Sequence, residues 1–143
     1  MATAMNTEEA RAFLARSAPA LLAAVATVRG DGSPHVVPVW YRWHAERVLV
    51  WTTEARAWVR NVQRDPRVSL SVYETAPPFA AVILRGAAEV HTGGDPWISD
   101  EILAITRRYI PAAEVDAYVA GWAHLRTIVS VRPETITGWS RGY

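Results

Sequence analysis

Between Ala20 and Thr52 the chain carries three apolar runs, ALLAAVATVR, PHVVPVWYRW and RVLVWT, joined only by the short connections GDGS and HAE. Connections this short make hairpins and leave no room for the crossover that parallel strands require. An antiparallel meander is therefore where the fold must start. Strand character returns in RVSLSVYE (67–74), with Val68, Leu70 and Val72 on one face, and in FAAVILRGAAEVH (79–91), where a bend is expected at Gly86. LRTIVSVRP (125–133) is a sixth strand, and TITGW (135–139) closes the chain. Six strands with few helices and tight turns predict a mainly β fold, a small closed antiparallel barrel.

Helices punctuate this pattern at three places. Asn6 with Glu9 forms a capping box ahead of the stripe Ala10, Phe13 and Leu14, which ends near Pro19. Asp95-Pro96 opens a second helix through Ile98, Ile102, Ile105 and Tyr109 to Pro111, and a further helical stretch covers Ala112 to Trp122. Between them, Arg56, Arg60 and Arg64 share one face of a short helix whose other side carries Ala55, Trp58, Val59 and Val62, and Asp65-Pro66 ends it. A chain of 143 residues is the size of one domain, so residues 1–143 are expected to form a single barrel domain, with an N-terminal helix in 1–19 and a helical insert in 95–122.

Composition removes several function classes. There is no cysteine, hence no disulfide or thiolate chemistry, and all fifteen basic residues are Arg, hence no Schiff base or P-loop lysine. Any bound anion must be held by Arg, His, hydroxyls or backbone N–H groups. His35, His44, His91 and His124 include no i, i+4 pair, so no metal site is expected. Ser33 lies in GDGS and not in a nucleophile elbow, and no glycine-rich nucleotide loop is present. A pI near 8.2, with 14 acidic residues spread along the chain, argues against a nucleic-acid partner. No apolar run reaches membrane-spanning length and Glu8 and Glu9 replace a basic leader, so a cytoplasmic protein without membrane association is expected.

The aromatic residues concentrate beside the arginines. Trp40, Trp43, Trp51 and Trp58 fall within nineteen residues. On the strand 34–43, Trp40 and Arg42 share a face opposite Tyr41 and Trp43, so both faces need a cover. That cover is expected to be a partner subunit, a planar ligand, or both.

The series ATVRGDGSPHVVPVWYRW, VLVWTTEARAWVRNVQRDPRVSLSV, RGAAEV and the closing ITGW resembles the pyridoxamine 5'-phosphate oxidase-like FMN-binding split barrels, in their flavin and deazaflavin (F420) oxidoreductase branch. The RN…RDPRVSL stretch carries the most specific part of the likeness. The resemblance implies a six-stranded Greek-key split β-barrel that forms a homodimer, with cofactor sites at the subunit interface. It implies FMN or deazaflavin F420 as cofactor, with Pro38, Val39 and Trp40 facing the ring. Trp51, Thr52 and Thr53 would line the ring edge and ribityl chain, and Arg56, Arg60 and Asn61 would hold the phosphate. Trp58 stands where many relatives place a phosphate-contacting Lys.

The function this implies is hydride transfer between reduced cofactor and an unsaturated small molecule. WSRGY (139–143) does not reproduce the arginine-containing signature of pyridoxamine-phosphate oxidases proper, and that activity is not expected. No side chain is singled out as a catalytic acid. The alternative is a non-catalytic binding protein for a flavin, haem or other planar anion, with His91 or His124 as the histidines available to iron. A third reading makes the Trp and Arg cluster a structural dimer interface.

Overall fold

The computed structural model describes residues 1–142; Tyr143, the last residue of the closing WSRGY, lies outside the described residues. Strands β1 (Thr3–Ala4), β2 (Ala23–Val28), β3 (Pro34–Val39), β4 (Arg42–His44), β5 (Arg47–Thr52), β6 (Arg67–Tyr73), β7 (Phe79–Thr92) and β8 (Thr127–Gly142) form one sheet. Helices α1 (Thr7–Ala15), α2 (Ala57–Arg64), α3 (Pro96–Thr106) and α4 (Val115–Gly121) lie outside it. Every pairing is antiparallel, in the order β3-β2-β6-β7-β8-β5-β4, with β1 added on β8. Among the described residues no helix is long and apolar enough to cross a membrane.

Eight strands stand where six were expected, for two reasons. The run 34–43 breaks at Trp40–Tyr41 into β3, which pairs with β2, and β4, which pairs with β5. The two ends of the sheet are thus joined through a two-residue kink, so the sheet curls around without a ladder between its edges. Pro34 and Pro38 are tolerated because β3 is an edge strand. The second addition is the short β1. The closing segment, by contrast, is not separate, because β8 runs on through Pro133.

Residues missing from a ladder must place their backbone groups elsewhere. At the kink, the Tyr41 N–H donates to Tyr109 Oη at 3.1 Å, and the Tyr41 carbonyl accepts from Arg108 Nε at 2.7 Å. Tyr109 Oη also donates to the Leu21 carbonyl at 2.7 Å. The Tyr41 ring is fully buried and its hydroxyl donates to the Leu14 carbonyl at 2.7 Å. Burial pushes this phenol up to about 12.

The barrel core is built from the alternating residues Val25, Val50, Leu70, Val72, Val82, Leu84, Val129 and Val131 with Trp58, Val59 and Val62 of α2 and Leu14 of α1. A second core lies on the outer face of β5 and β8, where Leu49 and Ile128 pack against Ile98, Ile102 and Ile105 of α3. This explains why β5 and the start of β8 are apolar on both faces. The capping box is present as read, with Asn6 N–H donating to Glu9 Oε2 at 2.8 Å and Glu9 N–H to Asn6 Oδ1 at 2.9 Å. Asp95 precedes Pro96 at the start of α3 but makes no side-chain cap bond.

The turn from α2 into β6 is clamped by Asp65, which accepts from Arg67 Nη2 at 2.7 Å and from the Arg67 N–H at 3.2 Å. These hydrogen bonds hold the Asp65 carboxyl down at about 2. A lowered folded-state pKa stabilises the fold above the unfolded value near 4, and that contribution disappears as pH falls through about 2. An NMR titration of the Asp65 carboxyl carbon is expected to show a midpoint near 2; an ordinary midpoint near 4 would mean the clamp is absent in solution.

Candidate functional site

The end of β3, the end of β5 and the start of α2 converge on one side of the kink. They enclose a cavity of about 460 Å³ lined by Val37, Pro38, Val39, Trp40, Trp51, Thr52, Arg56 and Trp58, with Tyr118 and Trp122 from the helical insert, and Leu125 just after it, opposite. The size suits a small-molecule site, and the lining is apolar and aromatic with few polar groups. Trp40 stacks on Tyr109 at 4.8 Å and 14°, and on Tyr118 at 5.6 Å and 30°. Trp51 meets Tyr118 edge-on at 6.3 Å, and its indole N–H donates to the Leu125 carbonyl at 2.7 Å. Aromatic pairs at these distances hold one another in place beyond simple burial.

Trp40 and Arg42 do share a covered face, but the cover is supplied by the chain itself. Trp40 lies on Tyr109 and Tyr118, and Arg42 forms a two-pronged pair with Glu101 of α3 at 2.7 and 2.9 Å. The aromatic face therefore needs no second subunit to leave water. Alternation along a strand identifies a face to be buried, whereas the partner comes from a distant helix.

Seven of the ten residues expected at a cofactor line this cavity: Pro38, Val39, Trp40, Trp51, Thr52, Arg56 and Trp58. The other three do not. Asn61 is 5% exposed and turned into the barrel, where its Nδ2 donates to Thr27 Oγ1 at 3.0 Å and approaches His35 Nδ1 at 3.3 Å. Its Oδ1 accepts from Arg64 at 2.8 Å, so the side-chain amide is fully engaged within the protein. Thr53 is half-buried beside the cavity, its Oγ1 accepting from the Ala55 N–H at 3.4 Å. Arg60 is exposed one turn beyond Arg56, and its guanidinium makes no hydrogen bond or ion pair with the described residues.

Val37, Tyr118, Trp122 and Leu125 were not anticipated. Tyr118 and Trp122 are four apart at the end of the insert, a spacing that puts both rings on one helical face, and their centroids lie 6.5 Å apart. That spacing was the available signal. His124 neighbours Trp122 at 6.1 Å, while His91 lies on β7, bonded to Ser130 at 3.1 Å and packed against Trp97. Neither lines the cavity, and no cluster of three or more metal-binding side chains occurs among the described residues.

The electrostatics of the cavity are set by one end. Arg56 is the N-cap of α2, exposed, and no side chain caps this helix. The Val59 N–H already donates to the Arg56 carbonyl at 3.1 Å, so the Ala57 and Trp58 N–H groups are the ones left at the helix start, and with the guanidinium they create a positive locus at the cavity edge. Trp58, the second residue of the helix, is 4% exposed and belongs to the barrel core, so its indole fills volume where a Lys would offer charge.

Residues 6–140 match the family profile of pyridoxamine 5'-phosphate oxidase. The chain belongs to the pyridoxamine 5'-phosphate oxidase family. Solved structures share the fold. A conserved hypothetical protein from Mycobacterium tuberculosis superposes with a TM-score of 0.79 at 23% identity, over 96% of this chain and 86% of that one. An F420 reductase superposes with a TM-score of 0.66 at 28% identity, over 88% and 94% of the two chains. An FAD-binding protein from Mesorhizobium loti gives 0.74 at 16% identity, over 100% and 98%. No curated protein matches the chain significantly. The mainly antiparallel sheet with few helices is the split barrel of the pyridoxamine 5'-phosphate oxidase family.

Proposed function

We propose that this member of the family is an oxidoreductase that binds reduced deazaflavin F420 or FMN and passes a hydride to an unsaturated small molecule. The observation that carries this reading is the cavity itself: planar aromatic walls at one end, and Arg56 on an uncapped helix N-terminus at the other. A planar ring with an anionic tail fits that donor set. The F420 reductase among the structural relatives supports the same cofactor class.

In this reading Val39, Trp40 and Trp51 hold the ring and exclude water from its face, and Thr52 offers its hydroxyl to the ring edge. Arg56 and the leading α2 amides take the anionic tail, with exposed Arg60 within reach of a longer one. Asn61 has a structural role instead, anchoring α2 to β2 and β3. The bound cofactor supplies the hydride chemistry, and the chain supplies position and dryness.

A homodimer is part of the proposal. From Pro38 at the cavity edge, register partners Ala24, Ser71, Ile83 and Thr137 form one uncharged row across the outer face of the sheet. Nearby Val36 and Tyr73 are 63% and 43% exposed. An uncharged face continuous with the cavity and flanked by exposed Val36 and Tyr73 suits a two-fold partner. Sedimentation at micromolar concentration should show a dimer, and a monomer would remove this element.

The deciding experiment is a fluorescence titration of apoprotein with FMN and with F420 at two salt concentrations. One of them is expected to bind, more weakly at high salt because a tail anion is paired with an exposed Arg. Arg56→Ala should weaken that binding by about ten-fold or more, the worth of a charge-assisted hydrogen bond. Failure of both cofactors to bind would overturn the reading; binding with no turnover of any unsaturated acceptor would leave a storage or sensing protein.

A further inference from the structure

We propose that the chain carries a second ligand site, at the opposite end of β5 from the cofactor cavity, and that its ligand is a free α-amino acid with an aromatic side chain. The site stands apart from the oxidoreductase reading and does not depend on it.

Arg42, Arg47 and Leu49 of the β4–β5 hairpin face Trp97, Asp100, Glu101 and Ala104 of α3 across a cleft of about 530 Å³. Each wall follows from its own period. Arg42 is the register partner of Leu49, with Arg47 two residues before it on the same side, and the four helix residues fall at i, i+3, i+4 and i+7. Arg42 and Glu101 neutralise one another through bonds of 2.7 and 2.9 Å. One charge then remains on each wall. The half-buried Arg47 guanidinium and the exposed Asp100 carboxylate have no hydrogen-bond or ion-pair partner among the described residues, each other included. His44, across the ladder from Arg47, adds its imidazole to the hairpin wall.

Opposite charges held apart on facing walls select among ligands. A simple anion drawn to Arg47 also meets Asp100, and a simple cation drawn to Asp100 also meets Arg47. A molecule that carries both charges satisfies both walls: its carboxylate accepts from the guanidinium, and its ammonium donates to the aspartate. The third group in the cleft is aromatic. Trp97 is 42% exposed, yet its ring is positioned, lying edge-on to His91 at 5.2 Å and 79°, and His91 is itself bonded to Ser130 at 3.1 Å. An indole fixed on one side and open on the other offers a surface that a flat side chain covers, with Leu49 and Ala104 as the remaining apolar wall. Carboxylate, ammonium and aromatic ring together describe an aromatic amino acid.

The test uses the intact apoprotein at low salt and three probes of one skeleton: L-phenylalanine, 3-phenylpropanoate, which lacks the ammonium, and phenethylamine, which lacks the carboxylate. Binding is followed by equilibrium dialysis. L-phenylalanine is expected to bind about five-fold or more tightly than either analogue. Arg47→Gln should weaken L-phenylalanine and 3-phenylpropanoate by about five-fold and spare phenethylamine, whereas Asp100→Asn should weaken L-phenylalanine and phenethylamine and spare 3-phenylpropanoate. Because each variant keeps one probe, a loss of folding cannot imitate this pattern. Trp97→Ala should weaken all three by about five-fold, through lost stacking. Arg56→Ala should alter none of them. Equal affinities for the three probes, no saturation by L-phenylalanine below about 10 mM, or a loss on Arg56→Ala with none on Arg47→Gln would overturn the proposal.

Discussion

Gly86→Ala is expected to destabilise the protein by about 3 kcal/mol, as overpacking against backbone that cannot move aside. A Cβ at this position would lie 2.0 Å from the Arg132 carbonyl oxygen and 2.9 Å from its carbon, with Pro133 Cα at 3.1 Å. Those atoms belong to β8, the central neighbour of β7. The register there steps from Arg85↔Thr135 to Gly86↔Pro133, which leaves Glu134 as an extra residue on β8. The bulge bends the two longest strands together, lets Pro133 sit in a strand without breaking a ladder bond, and demands close approach at Gly86. Urea unfolding would measure the effect. Gly94→Ala is the control, since a Cβ there meets nothing within 4 Å, and it should stay within about 0.5 kcal/mol. Equal midpoints for the two variants would show that β8 yields at the bulge.

The second large effect concerns the docking of the insert. Glu101 has only 8% of its side chain exposed and is held by Arg42, itself 27% exposed. The hydrogen bonds to Glu101 raise the Arg42 pKa further, so the guanidinium stays charged throughout. Arg42→Met strands a nearly buried carboxylate and should cost about 3 kcal/mol. Adding Glu101→Leu removes the stranded charge, and the double variant should recover most of the loss. A double variant as unstable as the single one would show that packing of the Arg42 stem, and not charge, carries the effect. The consequence reaches the cavity, because α3 leads directly to Tyr109, on which Trp40 stacks. Binding of whichever of FMN and F420 the protein takes is expected to weaken with the single substitution and return with the double.

Several elements could be read from local chemistry because their causes are local. Asn6 and Glu9 satisfy one another's backbone N–H groups, so the start of α1 follows from two residues three apart. Gly86 was legible as a bend because a glycine inside an apolar alternation marks a bulge or a close approach. Arg56, Trp58, Val59 and Val62 took the sides of α2 that a 3.6-residue period assigns them. The same period does not say how an individual polar residue is satisfied. Asn61 went inward because Thr27, His35 and Arg64 are there to bond it, and those partners come from β2, β3 and the next turn of the helix.

The sequence by itself determined the succession of strands, the antiparallel pairing forced by short connections, the cationic helix and the need to cover both faces of the run 34–43. Each is an effect of covalent geometry or of side-chain period, which act over a few residues. Only the tertiary structure decided that the run breaks at Trp40–Tyr41, that Tyr109 and Arg108 take up the freed backbone groups, and that Tyr118 and Trp122 complete the cavity. These are contacts between segments far apart in the chain. Their outcome depends on which distant surface fits and can satisfy the polar groups, and no local pattern contains that information.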